Sequence, residues 1–457
     1  MGFRAFLAIL LCKGLRWISR VLHRGGTAMP GRWALCVCPN LLSILARDVK
    51  SVAITGTNGK TTSARMIEQA FAEQGKSYFA NRSGANLISG ITTEFVMNST
   101  LSGKCRKEYA VIECDEAATV KVFPQLKPKV VVVTNLFRDQ LDRYGEVTHT
   151  LESVRTGISA VPEATLCLNA DCSLTASLAG DLPNKVVFFG INAGAVPSAK
   201  KSELSDASHC ICCKTEYEYD YITYGHLGGF RCPNCGYRRQ TPEVAVTEIP
   251  AQTAEGSSIV LEAHGQKYLA EVNLPALYNV YNAAGAVAAV TEMGLGADAA
   301  VSAIENFKCG FGRMENFKLG KSGAKMMLVK NPAGCNQVLD FLANVKEKFS
   351  LVICLNDRGA DGTDVSWIYD AAFERLAHMG GTLEKILVAG DRAADMAVRV
   401  KYAGVAPQFI EIQRDYEKLV SWMEEQEHPV FIIPTYTAML DLREHLIRRC
   451  GGADFWE

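Results

Sequence analysis

Neither sign of charge prevails in this 457-residue sequence: 48 lysines and arginines stand against 49 aspartates and glutamates, for a formal net charge of −1. No overall basic field points to nucleic acid. No apolar segment is long enough to span a bilayer. The run over residues 3–11, interrupted by Arg4, stops well short. Internal repeats and low-complexity segments are missing as well. No leader with a small-residue cleavage site precedes the sixteen cysteines, so a secreted disulfide framework is not expected. In a reducing cytosol such cysteines read as metal ligands, catalytic thiols or core residues. What remains is the composition of a soluble globular enzyme, long enough for two or three domains.

After the first apolar run come Lys13, Arg16, Arg20, His23 and Arg24. Residues 1–45 therefore read as a basic amphipathic segment, with two outcomes open. It rests on an anionic membrane face as a peripheral contact, or it packs on its own domain. Short, continuous apolar runs then recur at 51–54, 109–112, 130–134, 165–169 and 186–190, with helical stretches between them. Strands buried on both faces are the mark of a parallel sheet, so a doubly wound α/β domain is expected over about 46–195. Residues 201–240 change to polar, Cys-, Tyr- and Gly-rich sequence. An Ala-rich helix over 276–293 returns to the main domain. From about residue 317 a second α/β unit begins, with strands expected at 325–330, 351–356, 385–389 and 429–434.

Thr55-Gly56-Thr57-Asn58-Gly59-Lys60-Thr61-Thr62 follows the first of these strands and opens a helix expected over 63–74. Gly56 and Gly59 let the backbone turn its N–H groups towards phosphates, and the helix N-terminus adds partial positive charge. Lys60 reaches the outer phosphates, and Thr61 or Thr62 offers a hydroxyl to Mg²⁺. The strict phosphate-loop pattern has glycine at position 54, where this chain has Ile54. The shortened loop resembles that of the Mur ligases and folylpolyglutamate synthases. Further pieces fall in the order of that family. Glu113, in Val111-Ile112-Glu113-Cys114-Asp115-Glu116, matches its metal-binding glutamate. Thr134 to Asp142 resembles its Thr-Asn-Leu-x-x-Asp-His-Leu-Asp, with Gln140 where the family has His. Tyr278-Asn279-Val280-Tyr281-Asn282 resembles the helix start whose asparagine, here Asn282, sits near adenine. Gly312-Arg313-Met314-Glu315 resembles the hinge that brings an arginine, here Arg313, to the phosphates. Lys330-Asn331-Pro332 stands at the family's Asp-Tyr-Ala-His-Asn-Pro segment. The resemblance implies ATP and Mg²⁺ as cofactors. Thr57, Asn58, Gly59, Lys60, Thr61, Thr62, Asn282 and Arg313 become nucleotide contacts, Thr61 and Glu113 the Mg²⁺ ligands, and Lys60 and Glu113 catalytic.

Cys210-Ile211-Cys212-Cys213 and Cys232-Pro233-Asn234-Cys235-Gly236 form two C-x2-C knuckles eighteen residues apart. Four thiolates so spaced make a structural Zn²⁺ ribbon over about 205–240, with Cys212 unligated and no open position for water. The competing reading is a loop of reduced, metal-free cysteines. Arg231, Arg238 and Arg239 are too few to argue for nucleic acid.

The stretch Asn356-Asp357-Arg358-Gly359-Ala360-Asp361-Gly362-Thr363-Asp364 follows a buried strand, where α/β domains place ligands. Its bland alternative is a solvated turn with an Asp helix cap. This turn, the four-cysteine insertion and Phe137-Arg138-Asp139-Gln140 resemble one branch of the Mur ligases, the synthetase subunits of lipid II isoglutaminyl synthases. The resemblance implies a Mur-type central ATPase domain over 46–314 and a C-terminal Rossmann-like domain over 315–457. It implies ATP-dependent amidation of the D-glutamate α-carboxylate of lipid II through an acyl phosphate, in the cytoplasm. Ammonia would come from a partner, a GatD-like glutaminase subunit, and no Cys–His glutaminase motif is apparent in this chain. An aspartate of the C-terminal domain, Asp364 first and Asp361 second, would complete the partner's catalytic site. One alternative is a Mur or folylpolyglutamate-type ligase that adds an amino acid, although neither its carbamylated lysine nor its amino-acid pocket is evident. Another is a non-catalytic, nucleotide-dependent zinc-ribbon binding module.

Overall fold

The structure is a computed structural model of the chain and describes residues 2–21, 28–81, 85–138, 147–180, 182–198, 206–253, 255–307 and 313–451. Three helices, α1 (Phe3–Val21), α2 (Ala28–Val37) and α3 (Leu41–Ala46), lead into the first strand. Ala5, Ala8, Ile9 and Cys12 of α1 are buried in the same core as Leu41, Leu42 and Leu45 of α3. The inner face of the basic segment therefore packs on the domain that follows it. Its outer face leaves Phe3, Leu10, Trp17 and Ile18 exposed. Among the described residues no helix is long and apolar enough to cross a membrane.

The first sheet begins with β1 (Lys50–Thr55), α4 (Lys60–Glu73), β2 (Tyr78–Ala80), α5 (Ile88–Met97), β3 (Tyr109–Glu113) and α6 (Thr119–Leu126). It continues with β4 (Val130–Val133), α7 (Val147–Ser159), β5 (Thr165–Asn169) and β6 (Val186–Ile191). These six strands are parallel in the order β2-β3-β1-β4-β5-β6. From β1 the chain crosses to β2 at one edge, returns to β3 beside β1, and then passes to β4 on the other side and outwards to β5 and β6. The carboxyl ends of β1, β3 and β4 thus meet at the centre of the sheet, at the crevice where such folds bind ligands. Val52, Ala53, Ile54 and Val130 to Val133 are fully buried, as double-sided burial requires.

An antiparallel hairpin, β7 (Glu218–Tyr224) and β8 (Leu227–Arg231), stands apart from this sheet. The chain then adds β9 (Val244–Gln252), β10 (Ser257–Ala263) and β11 (Gln266–Val272) to the edge beyond β6. This three-strand extension is not anticipated from the sequence. The alternation of buried and half-exposed residues along β10 is the pattern of a sheet with one wet face. Helices α8 (Leu277–Glu292) and α9 (Ala297–Glu305) return across the sheet and pack on α4. Twelve of the sixteen residues of α8 are buried. Its small residues permit that close approach.

The second sheet starts at Arg313. Its elements are β12 (Arg313–Phe317), β13 (Ala324–Met327), α10 (Pro332–Ala343), β14 (Phe349–Cys354), β15 (Leu383–Ala389), α11 (Ala393–Tyr402), β16 (Ile410–Ile412), α12 (Tyr416–Glu424), β17 (Val430–Pro434) and α13 (Tyr436–Cys450). The strand order is β12-β13-β17-β14-β15-β16, parallel except at β12. Arg443 of α13 holds both carboxylate oxygens of Glu315 in β12, with N–O distances of 3.0, 3.0 and 2.9 Å. Arg443 is buried. Its removal leaves a largely buried carboxylate without this counter-charge, a change that costs more than the pair itself contributes. Arg443→Ala should therefore lower stability by about 3 kcal/mol. Urea denaturation followed by far-ultraviolet circular dichroism checks this, and an unshifted midpoint would contradict it.

Candidate active site

The turn between β1 and α4 is held from outside. Thr134 and Asn135, just beyond β4, bind its backbone. The Thr134 hydroxyl donates to the Asn58 carbonyl (2.7 Å), and Asn135 Nδ2 donates to the same oxygen (3.1 Å). Asn58 N–H donates to Asn135 Oδ1 (3.0 Å), and Thr57 N–H to the Asn135 carbonyl (2.8 Å). Thr57 Oγ1 both donates to the Phe137 carbonyl (3.1 Å) and accepts from the Phe137 N–H (3.0 Å). Gly59 adopts φ +89°, which carries the chain into α4. A Cβ there would lie 2.0 Å from Asn282 Oδ1 in α8. Both the left-handed backbone and the close approach demand glycine.

Lys60, the first residue of α4, is buried. Its Nζ donates to the Gly56 carbonyl (2.5 Å) and to Glu116 Oε1 (2.7 Å). Burial works against its charge, but Glu116, Glu113 and Asp115 outweigh it and hold the ammonium above its usual range. Glu116 belongs to the stretch that carries Glu113, and nothing in its sequence neighbourhood marks it for a role. Its place beside Lys60 follows from the short link between β3 and α6. Thr61 Oγ1 donates to Glu113 Oε2 at 2.7 Å. Glu113 itself is fixed by Asn81, which bonds its backbone N–H (2.8 Å) and carbonyl (2.7 Å). A hydroxyl and a carboxylate in contact at a phosphate-loop lysine are a hard-oxygen donor set that suits Mg²⁺.

Thr62, Asn58 and Gly59 line a cleft between the two sheets, with Tyr224, Asn279 and Asn282 among its other walls. Asn282 Nδ2 donates to Asn279 Oδ1 (3.1 Å), and the Ser63 hydroxyl to the Asn282 carbonyl (3.4 Å). From the second sheet, Asn331 caps α10 by accepting from Gly334 N–H (2.8 Å) and donates to Asn58 Oδ1 (3.0 Å). Arg313 lies in β12, but its side chain and the preceding residues 308–312 are outside the described residues, as is Gln140. Met314, beside it, lines the cleft with φ +66°.

The four cysteines of the two knuckles come together. All four sulfur atoms of Cys210, Cys213, Cys232 and Cys235 lie within 4.8 Å of one another. Cys210 and Cys235 are 3.5 Å apart, Cys213 and Cys232 3.4 Å. A tetrahedron with Zn–S bonds of about 2.3 Å has edges of about 3.8 Å, so the cluster fits such an ion. Each knuckle closes alike: Lys214 N–H returns to the Cys210 carbonyl (2.9 Å) and Gly236 N–H to the Cys232 carbonyl (3.2 Å). Cys212 is exposed and outside the cluster.

In the acidic turn after β14, Asp361 is buried. One of its oxygens accepts Thr437 N–H (2.7 Å), the other the Thr437 hydroxyl, so it braces the first turn of α13. Burial pushes its carboxyl above the usual range, against these hydrogen bonds. Asp364 is less buried than Asp361, and one oxygen accepts Ser366 N–H (2.8 Å). Burial raises the nearby Tyr436 phenol above its usual range, with the Asp361 charge adding to it.

A parallel central sheet with a braced phosphate loop, followed by a second α/β sheet across a cleft, defines a Mur ligase-type protein. The Mur ligase middle domain matches residues 54–237, and the MurT ligase C-terminal domain matches residues 328–439. A pseudomurein peptide ligase type C from Methanothermus fervidus superimposes with a TM-score of 0.65 at 19% identity, covering 88% of this chain and 79% of its own. The chain belongs to the MurT family. It is 33% identical over 98% of its length to the protein named lipid II isoglutaminyl synthase (glutamine-hydrolyzing) subunit MurT in Streptococcus pneumoniae, covering 98% of that chain. The Staphylococcus aureus protein of the same name is also 33% identical, over 98% of this chain and 99% of its own.

Gly59→Ala forces the added methyl into Asn282 and strains the loop. Its affinity for MgATP should fall at least tenfold, about 1.4 kcal/mol, as measured by titration calorimetry. Unchanged affinity would show that this turn does not shape the site.

Proposed function

We propose that this chain is the ATP-dependent synthetase subunit of a lipid II isoglutaminyl synthase in peptidoglycan synthesis. It converts the D-glutamate α-carboxylate of the stem peptide to the amide of D-isoglutamine. The γ-phosphoryl group of ATP passes to the carboxylate, giving an acyl phosphate and ADP. Ammonia then attacks the carbonyl carbon, inorganic phosphate leaves, and the nitrogen loses a proton. The observation that carries this reading is the contact of Thr61 with Glu113 beside Lys60, in a chain of the MurT family.

Each residue has a defined task. Lys60 moves from Glu116 to the phosphates, so its charge meets the charge that develops in phosphoryl transfer. Thr57, Asn58, Gly59 and Thr62 shape the loop around the phosphates, and Asn282 lies at the adenine. Arg313 reaches the phosphates from the hinge. Thr61 and Glu113 hold Mg²⁺, which neutralises phosphate charge when bound. Cys210, Cys213, Cys232 and Cys235 hold a structural Zn²⁺, whose four thiolates leave no place for a catalytic water. The working division is a central unit over 46–314 and a C-terminal unit over 315–457, with helices α1 to α3 packed on the former.

The ammonia comes from a GatD-like glutaminase seated on the C-terminal unit. Asp364 is the better candidate to orient the partner's catalytic histidine, because Thr437 already occupies both oxygens of Asp361. Purified with such a glutaminase, the chain should amidate lipid II with glutamine or with ammonium and MgATP. No amidation from either nitrogen source would sink the reading. Asp364→Asn should cut glutamine-driven amidation at least tenfold and leave ammonium-driven amidation within twofold. Equal losses on both would assign this aspartate to the ligase site.

The substrate's lipid tail places the work at the cytoplasmic face of the membrane. Residues 1–47 carry seven lysines and arginines and no acidic residue, and α1 and α2 expose Phe3, Leu10, Trp17 and Trp33. Such a surface suits the interface of an anionic bilayer. The chain should co-sediment with phosphatidylglycerol vesicles but not with phosphatidylcholine vesicles, and Phe3→Ser with Trp17→Ser should weaken it. Binding that ignores both lipid charge and these substitutions would exclude this face.

A further inference from the structure

The hairpin β7–β8 joins the two cysteine knuckles at its base, and its tip lies far from them, at the phosphate loop. Tyr224 pairs with Leu227, so Gly225 and His226 form a two-residue turn. Strand β7 has seven residues, roughly 20 Å from base to tip. At that tip the Tyr224 ring stacks on Phe137, with centroids 5.8 Å apart and planes 15° apart, and the His226 ring is 4.5 Å from Phe137. Gly225 has φ +57°, and a Cβ there would come 2.8 Å from Phe137 Cε1. Phe137 is the residue whose N–H and carbonyl both bind Thr57 of the loop.

Further contacts fix the same tip from other directions. His226 Nε2 is 3.4 Å from the sulfur of buried Cys172. The Thr223 hydroxyl meets the Tyr281 hydroxyl at 2.8 Å, and Tyr281 donates to Asp171 Oδ2 at 2.6 Å. The other oxygen of Asp171 accepts from Arg239 Nε at 2.6 Å, four residues beyond Cys235. Asp171 is fully buried, so this carboxylate needs both partners. The chain of contacts runs from the four-cysteine cluster to Tyr281, the neighbour of Asn282, and Tyr224 lines the same cleft as Asn58, Gly59, Asn279 and Asn282.

We infer that the hairpin tip is a wall of the nucleoside pocket, with Tyr224 a positioning residue for the nucleoside, so that metal held by the four cysteines sets the affinity for ATP. This rests on reading the cleft as the ATP site. A ribbon attached only for stability would have no reason to press its tip on the phosphate-loop support. With the base unclamped, the two strands splay, and Tyr224 and Tyr281 lose their mutual placement (5.8 Å, edge to face). The loss should fall on the nucleoside part of the ligand, because Lys60 and the loop N–H groups remain.

Calorimetric titration with MgATP and with magnesium tripolyphosphate, alongside zinc content, tests this on the full chain. Tyr224→Ala should weaken MgATP about tenfold and leave tripolyphosphate within twofold, and Tyr224→Phe should restore ATP affinity. Cys232→Ser with Cys235→Ser should lose the metal and show the same selective loss, while Cys212→Ser should change neither. Should the double cysteine variant fail to fold, the Tyr224 pair still decides the matter. If Lys60→Ala abolishes ATP binding while Tyr224→Ala leaves it unchanged, the inference is overturned and the ATP site stands. Equal weakening of both ligands by Tyr224→Ala also overturns it. If the unaltered chain binds no nucleotide, the reading of the cleft falls as well.

Discussion

A loop that leaves the N–H groups at the start of α4 to phosphates cannot use those groups to hold itself together, and spends only those of Thr57 and Asn58. The clamp supplied by Thr134, Asn135 and Phe137 resolves this conflict, and the site depends on it. Asn135 takes both the N–H and the carbonyl of Asn58, Thr134 shares that carbonyl, and Phe137 takes the Thr57 side chain. Each such bond contributes only about 1 kcal/mol net, but together they fix a backbone that glycine would otherwise leave loose. The clamp needs β1 and β4 to be neighbours, which the winding order of the sheet ensures. Fold and site are therefore one constraint: the strand order puts the clamp within reach of the loop.

The electrostatics follow from the same placement. β3, on the other side of β1, ends in Glu113, and the short link after it delivers Glu116. One side of the loop is thus lined by carboxylates and the other by neutral amides and hydroxyls. Lys60 sits on the acidic side in the absence of ligand, its charge satisfied by Glu116. A buried ammonium without such a partner would tend to lose its proton. Glu116 keeps it charged, and Glu113 is engaged with the Thr61 hydroxyl.

Features written in neighbouring residues were legible in the sequence. The phosphate loop, the buried strands of the first sheet and the paired C-x2-C knuckles all depend on local spacing, and the structure shows each of them as a local feature. The helix after the loop starts at Lys60 rather than residue 63, because Gly59 itself turns the chain into it. Features written across the chain were not legible. β9 to β11 alternate apolar and polar residues, but their place at the edge of the first sheet comes from β9 pairing with β6, more than 50 residues earlier. Asp171, Arg239 and Tyr281 sit 68 and 110 residues apart. No local pattern marks them as partners, although an Asp and an Arg in predominantly apolar or Cys-rich surroundings each invite the question of a counter-charge. Asp361 and Asp364 look alike in sequence. They differ because α13, more than 70 residues later, presents Thr437 to Asp361, while Asp364 caps Ser366 in its own turn.

The two sheets meet at the phosphate loop. Asn58 is bound through its backbone to the first sheet and through its side chain to Asn331 of the second. The backbone bonds belong to the clamp and need not change when a ligand arrives. The side-chain bond is a single neutral contact, about 1 kcal/mol, of the kind a phosphate oxygen can displace. Met314, at the crossing between the sheets, is buried with a positive φ that a side chain adopts at a cost of about 1–2 kcal/mol. Glu315 beside it is pinned by Arg443. The Asn58–Asn331 bond thus ties the phosphate loop to the start of α10 in the second sheet without drawing on the clamp.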